Sequence, residues 1–135
     1  MPMRAQINTV PGQIYGRVNV GIAEYTAQRS VSVVGLTANE VDGDGYLIPG
    51  VVFSGATPGV LVGSTVPVFG IVIEPIKVAK SNVSGDLTAA GTVQVALLTI
   101  GQINRKIAED NMGRAYNANE LAGFALSPCG LILLA

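Results

Sequence analysis

The stretch Val66-Pro-Val-Phe-Gly-Ile-Val-Ile73 constrains this chain more than any other feature. It is dense in β-branched residues and apolar at consecutive positions, so an extended chain there has two greasy faces. Such a segment fits a central strand covered on both sides. A second run, Gly91-Thr-Val-Gln-Val-Ala-Leu-Leu-Thr-Ile100, is the clearest strand in the sequence. A chain built around two such segments needs further strands to pair with them.

Those strands are readable from period and punctuation. Between Arg17 and Leu36 the alternation of Val18, Val20 and Ile22, then Val31 and Val33, predicts half-buried strands with Asn19, Gly21, Ser30 and Ser32 facing the other way. The turn Asn39-Glu-Val-Asp-Gly-Asp-Gly45 leads into Tyr46-Leu-Ile48, and Pro49-Gly50 leads into Val51-Val-Phe53. Ser54-Gly-Ala-Thr-Pro-Gly59 is a further turn before Val60-Leu-Val62, and Lys80-Ser-Asn-Val-Ser-Gly-Asp86 has the composition of an exposed loop. Spacings of this kind predict a mainly β fold, a small β-barrel or sandwich.

The pattern changes after Gly101. Ile103 and Ile107 lie four apart, as do the opposite charges of Lys106 and Asp110, which predicts a short helix ending near Gly113. A second helix is expected from Asn117 or Asn119, with Glu120 in its first turn and Leu121, Phe124 and Ala125 as its apolar stripe. Pro128 ends it before Leu131-Ile-Leu-Leu-Ala135, which is expected to be a buried strand or a contact with another subunit. At the other end, residues 1–15 contain Pro2, Pro11 and Gly12 and show no sustained period. They read as an extended N-terminal arm, with residues 16–135 as a single β-rich domain. Met3, Ile7, Val10, Ile14 and Tyr15 are its candidate contacts with a neighbouring protein, by strand addition to an open sheet edge.

Charge narrows the function classes. Charged residues are 13% of the chain and hydrophobic residues 49%, against about 25% charged in ordinary globular domains. The surface is therefore expected to be covered partly by Ser, Thr, Asn, Gln and Gly and partly by other chains, where charge is depleted. A net charge of −1 with only Arg105 and Lys106 adjacent among the basic residues gives no footprint for nucleic acid. A lone Cys129 asks for no oxidising compartment, and the apolar runs are too short for a signal or a membrane span, so synthesis in the cytoplasm is the expectation.

The inventory for chemistry is nearly empty. The chain has no histidine, which removes the usual general base and zinc ligand, and Cys129 is expected to be an inert thiol. Asp42-Gly-Asp44-Gly45 opens like a calcium loop, but the position that needs a bidentate Glu is Phe53, so a tight turn is the reading. A carboxylate-pair hydrolase would draw on Glu24, Glu40, Glu74, Glu109, Asp110 or Glu120. Glu74 stands out, at the end of an apolar strand, with Lys77 or Lys80 as its expected partner. No phosphate loop or dinucleotide fingerprint is present, and no catalytic residue, metal or cofactor is expected.

Four segments of the C-terminal half, Val68-Phe-Gly-Ile-Val-Ile73, Val93-Gln-Val-Ala-Leu-Leu98, Gly101-Gln-Ile-Asn-Arg-Lys-Ile107 and Leu121-Ala-Gly-Phe124, carry a resemblance. In this order they resemble the head decoration proteins of lambda-like tailed phages, small cement proteins that clamp the outside of an expanded capsid. The resemblance implies a homotrimer at local three-fold positions, an N-terminal arm that orders on the major capsid protein, and a place on the outer surface of the virion. A dimeric cement protein of another lineage fits the same composition. Residues 17–62 carry no specific match. The alternatives are another virion module, such as a tail-tube or fibre component, and the carboxylate hydrolase; neither nucleic acid, membrane nor small-molecule substrate is expected as a partner.

Overall fold

A computed structural model describes residues 15–33, 36–55, 61, 67–78, 91–127 and 130–134. Strands dominate, in the order β1 (Asn19–Ser32), β2 (Tyr46–Leu47), β3 (Val52–Ser54), β4 (Val68–Ile71), β5 (Ile76–Lys77), β6 (Thr92–Asn104) and β7 (Leu131–Leu134). Two helices, α1 (Arg105–Met112) and α2 (Ala118–Ala125), lie between β6 and β7. The main sheet runs β1-β6-β4-β3, with β7 added to β6, and β2 and β5 form a separate two-stranded ribbon. Among the described residues the sheet does not close into a barrel; the mainly β architecture with both helices in the C-terminal third is as expected, in an open, sandwich-compatible form.

The two segments that dominate the sequence take the central places. β4 lies between β3 and β6, with Val68 and Ile71 fully buried. Leu97 and Leu98 of β6 are buried as consecutive residues. Both faces of β6 are covered there. Gly70 permits the closeness, because a Cβ on it would stand 2.7 Å from Leu97 Cβ.

Two strands run further than the sequence suggests. β6 does not stop at Gly101 but continues to Asn104, because β1 and β7 supply partners on either side: Asn19↔Ile103 antiparallel and Leu133↔Ile103 parallel. β1 is one long strand whose register shifts between Val20 and Thr26. Val18, Val31 and Val33 are buried as expected, whereas Val20 is exposed. The positive φ of 84° at Gly21 and the register shift break the simple alternation there.

The helices are set by their caps. The Asn104 side chain accepts from the Ile107 N–H at 3.1 Å and starts α1 directly from the end of β6. Gly113, at φ 71°, ends it, donating its N–H to the Glu109 and Asp110 carbonyls. α2 opens with a reciprocal capping box: Asn117 accepts from the Glu120 N–H at 2.8 Å, and Glu120 accepts from the Asn117 N–H at 2.9 Å. Phe124 is buried and Leu121 half-buried, but Ala125 at the helix end is exposed. α1 presses on the turn at Pro49 and Gly50 so closely that a Cβ on Gly50 would lie 3.0 Å from the Ala108 carbonyl oxygen.

Candidate assembly surface

The acidic residues that sequence reasoning weighed for catalysis are largely engaged in holding the fold. Arg114, on the link between α1 and α2, donates to both oxygens of Glu120, at 2.8 and 3.0 Å. Glu40, buried beneath it, stands 3.9 Å from the same guanidinium. The hydrogen bonds and charge of Glu120 raise the Arg114 pKa, outweighing burial, so this cation is permanently charged. Glu109 accepts from the Arg105 Nε at 3.0 Å and the Tyr116 N–H at 2.8 Å. Burial pushes the Glu109 carboxyl up, but those two donors and the Arg105 charge outweigh it and hold the pKa below the usual carboxylate value. Tyr116 is buried, stacks edge-on against Phe124 at 5.2 Å and donates its hydroxyl to the Gly50 carbonyl at 2.6 Å. Burial is the main cause of its strongly raised pKa. The chemical consequence is rigidity: α1, α2 and residues 40–50 are tied into one unit.

Asp42 closes its turn as anticipated. One oxygen accepts the Asp44 and Tyr46 N–H groups, at 2.9 and 3.1 Å, and the other accepts the Tyr15 hydroxyl at 2.7 Å. Phe53, where a calcium loop needs a carboxylate, is fully buried in β3. Glu74 is exposed at a bend after β4, and Lys77 sends its ammonium to the Asp44 carbonyl at 2.5 Å and over the Tyr46 ring. Lys80 lies outside the described residues. Arg105 and Lys106 behave as a helix face, each paired with an acid four residues on.

Of the five arm residues singled out from sequence, Met3, Ile7, Val10 and Ile14 lie outside the described residues. Tyr15 is half-buried against the core and bonded to Asp42, so this side chain is engaged within its own domain. The next residue is held as well. Gly16 donates its N–H to Asn111 Oδ1 at 2.9 Å, and Asn111 returns a bond to the Gly16 carbonyl at 2.8 Å. The point at which residues 1–14 join the domain is therefore fixed beside α1 and the Asp42 turn.

A surface that sequence reasoning did not single out lies on the other side of β6. Val20 registers with Gln102, and Gln102 with Ile132, so these three side chains sit abreast on one face of three strands. Ile100 and Leu134 are two residues along from Gln102 and Ile132 and share that face, and Tyr25 is registered opposite Ile100. Their exposures are 45% for Val20, 56% for Tyr25, 42% for Ile100, 53% for Ile132 and 36% for Leu134. Among the described residues only one other large apolar side chain, Leu126, is so exposed. Every exposed described residue of β1, β6 and β7 is uncharged. Burying a large apolar side chain fully is worth about 1.5–3 kcal/mol, so these partly exposed side chains offer about 1 kcal/mol each, or about 5 kcal/mol for the face.

One signal for this surface was present in the sequence, the apolar Leu131–Leu134 run with its two possible uses. Leu131 is buried in β7 as a strand residue, and Ile132 faces out. Val20 and Ile100 gave no such signal, since an apolar residue in a strand reads as inward until its neighbours are placed. No helix of the described residues is long and apolar enough to cross a membrane, and no cluster of potential metal ligands occurs among them. In comparisons with protein-family models, with curated proteins and with solved structures, the chain gave no significant match.

Proposed function

We propose that this chain is a structural assembly protein that binds the outside of a phage capsid and stabilises it by bridging major capsid protein subunits, acting as a homo-oligomer. The observation that carries the reading is the set of exposed large apolar side chains on β1, β6 and β7, Val20, Tyr25, Ile100, Ile132 and Leu134. A contiguous apolar surface on a domain with so little charge is the property of a protein that ends in contact with other protein. Three of the acids that a hydrolase would need, Glu40, Glu109 and Glu120, are engaged with Arg114, Arg105 and the cap of α2, which favours a protein without catalysis. The fixed root at Tyr15 and Gly16 suits an arm that reaches from a rigid body onto the major capsid protein. The capsid, rather than another virion component, follows from the resemblance of the C-terminal half; a tail-tube or fibre component remains the second reading.

Deletion of residues 1–14 tests this. The cut spares Tyr15 because of its bond to Asp42. Co-sedimentation with expanded phage capsids that lack their own decoration protein is expected for the full chain and lost for the deletion, while thermal unfolding of the domain is unchanged. No co-sedimentation of the full chain would refute the capsid reading, and electron microscopy showing stacked rings or tubes would replace it with the tail-tube reading.

A further inference from the structure

We infer that Asn111 is a positioning residue for the N-terminal arm: its side-chain amide grips the backbone of Gly16 in the place of a neighbouring strand, and so presents residues 1–14 to their partner from a fixed point on α1. The inference rests on the reading of residues 1–14 as a binding arm, and it names what holds that arm to the domain.

The segment that leads into β1 is held without strand pairing. β1 pairs with β6 only from Asn19 onward, and just before it the Val18 carbonyl accepts the Asn104 N–H at 2.7 Å. Asn111, on the last turn of α1, takes over from the ladder. Its Oδ1 accepts the Gly16 N–H at 2.9 Å, and its Nδ2 donates to the Gly16 carbonyl at 2.8 Å. One side chain thus satisfies both backbone groups of one residue, as the opposite residue of a hydrogen-bonded antiparallel pair would. Nδ2 also donates to the Pro49 carbonyl at 3.2 Å, which fixes the plane of the amide from its other side.

Gly16 is fitted to this seat by size. A Cβ on it would stand 2.7 Å from Ile107 Cγ2, so a larger residue lifts the chain off α1. Asn104, Ile107 and Asn111 are three and four residues apart and share a helix face, so the chain from Val18 back to Gly16 follows α1. Tyr15 then donates its hydroxyl to one oxygen of Asp42, whose other oxygen closes the turn at Asp44 and Tyr46. Both anchors, α1 and the Asp42 turn, belong to the unit tied together through Arg114 and Tyr116.

The clasp is peripheral to the core, which separates its role from that of a stabilising contact. Gly16 is exposed and Asn111 half-buried. Bonds so placed contribute modestly to global stability, yet they remove the backbone freedom of the residues they hold. With Tyr15 and Gly16 fixed in advance, a partner of the arm is spared the entropy of ordering them.

Amide hydrogen exchange and capsid co-sedimentation of the full chain test this together. The Gly16 N–H is expected to be protected in the wild type. Asn111→Ala is expected to remove that protection while the Leu97 and Leu98 amides of β6 stay protected, to lower the thermal midpoint by no more than about 5 °C, and to weaken capsid binding about tenfold. Gly16→Ala, which keeps Asn111 but crowds Ile107, is expected to weaken capsid binding alike. Gly70→Ala, whose Cβ would stand 2.7 Å from Leu97 Cβ, strains the sheet without touching the arm's root and is expected to bind as the wild type does. An unprotected Gly16 in the wild type, or an Asn111→Ala chain that binds capsids as tightly as the wild type, would overturn the inference. Equal weakening by Gly70→Ala would overturn it too, by making the effect one of stability. Absence of capsid binding by the wild type would sink the capsid reading, and exchange then decides the clasp: selective release of Gly16 by Asn111→Ala sustains it, and protection that survives the substitution sinks it.

Discussion

Replacing Arg114 with Met removes the one cation that the buried carboxylates of Glu120 and Glu40 share. The Glu120 side chain is 5% exposed and that of Arg114 22%, so the pair is screened far less than a surface ion pair. Met keeps much of the aliphatic stem, which isolates the electrostatic loss from the packing loss. Breaking a buried pair by removing one partner costs about 3–5 kcal/mol. Glu120 would retain the Asn117 N–H at 2.9 Å on one oxygen, which places the expectation near the lower end, about 3 kcal/mol. Native domains have only about 5–15 kcal/mol in all, so the variant is expected to fold but to be visibly weakened. With a urea slope of about 1.5 kcal/mol/M, the midpoint would move down by about 2 M. The assay is equilibrium urea unfolding followed by circular dichroism, at a protein concentration held equal for both chains. A shift smaller than about 0.5 M would place Arg114 with ordinary surface pairs and refute the claim that it locks α1 and α2 to residues 40–50. The double variant Arg114→Met, Glu120→Gln is expected to lose less than the sum of the two single changes, because the uncompensated charge is gone.

Two further measurements check other parts of the structure. The Glu109 pKa is lowered below its ordinary 4.5 in the folded chain, so its contribution to stability is complete above about pH 4.5 and is lost as pH falls through the lower folded value; Glu109→Gln is expected to flatten the fall of the thermal midpoint below that pH, and an unchanged acid limb would refute the assignment. Gly70→Ala sets a Cβ 2.7 Å from Leu97 Cβ in the centre of the sheet, which is expected to cost about 1–3 kcal/mol by overpacking, read by urea unfolding; a neutral substitution would show that β4 and β6 are less closely apposed than described.

Much of the fold is legible in the sequence because the determining signals are local. Branched residues without alternation marked β4 as central, and the Gly91–Ile100 run marked the body of β6. Asn117 or Asn119 with Glu120 marked the start of α2, which the structure sets at Asn117, and Gly113 marked the end of α1, because caps satisfy backbone groups within a few residues of themselves. Asp42 marked a turn, since its carboxylate reaches backbone N–H groups two and four residues on.

The tertiary structure alone decided what depends on partners distant in sequence. Continuation of β6 past Gly101 comes from β1 and from the parallel addition of β7, neither of which leaves a local mark. The shared cation of Glu40 and Glu120 brings together residues 80 positions apart, and nothing in Asn39-Glu-Val or Asn119-Glu-Leu shows that both carboxylates are buried beside Arg114. The apolar face is the clearest instance. Val20, Ile100 and Ile132 are ordinary strand residues in the sequence, and whether such a residue enters the core or the surface is set by a register shift near Gly21 and by which strand lies alongside. A one-residue slip turns a strand's side chains over, so composition fixed that this chain is poor in charge, and pairing fixed where its uncovered apolar surface would lie.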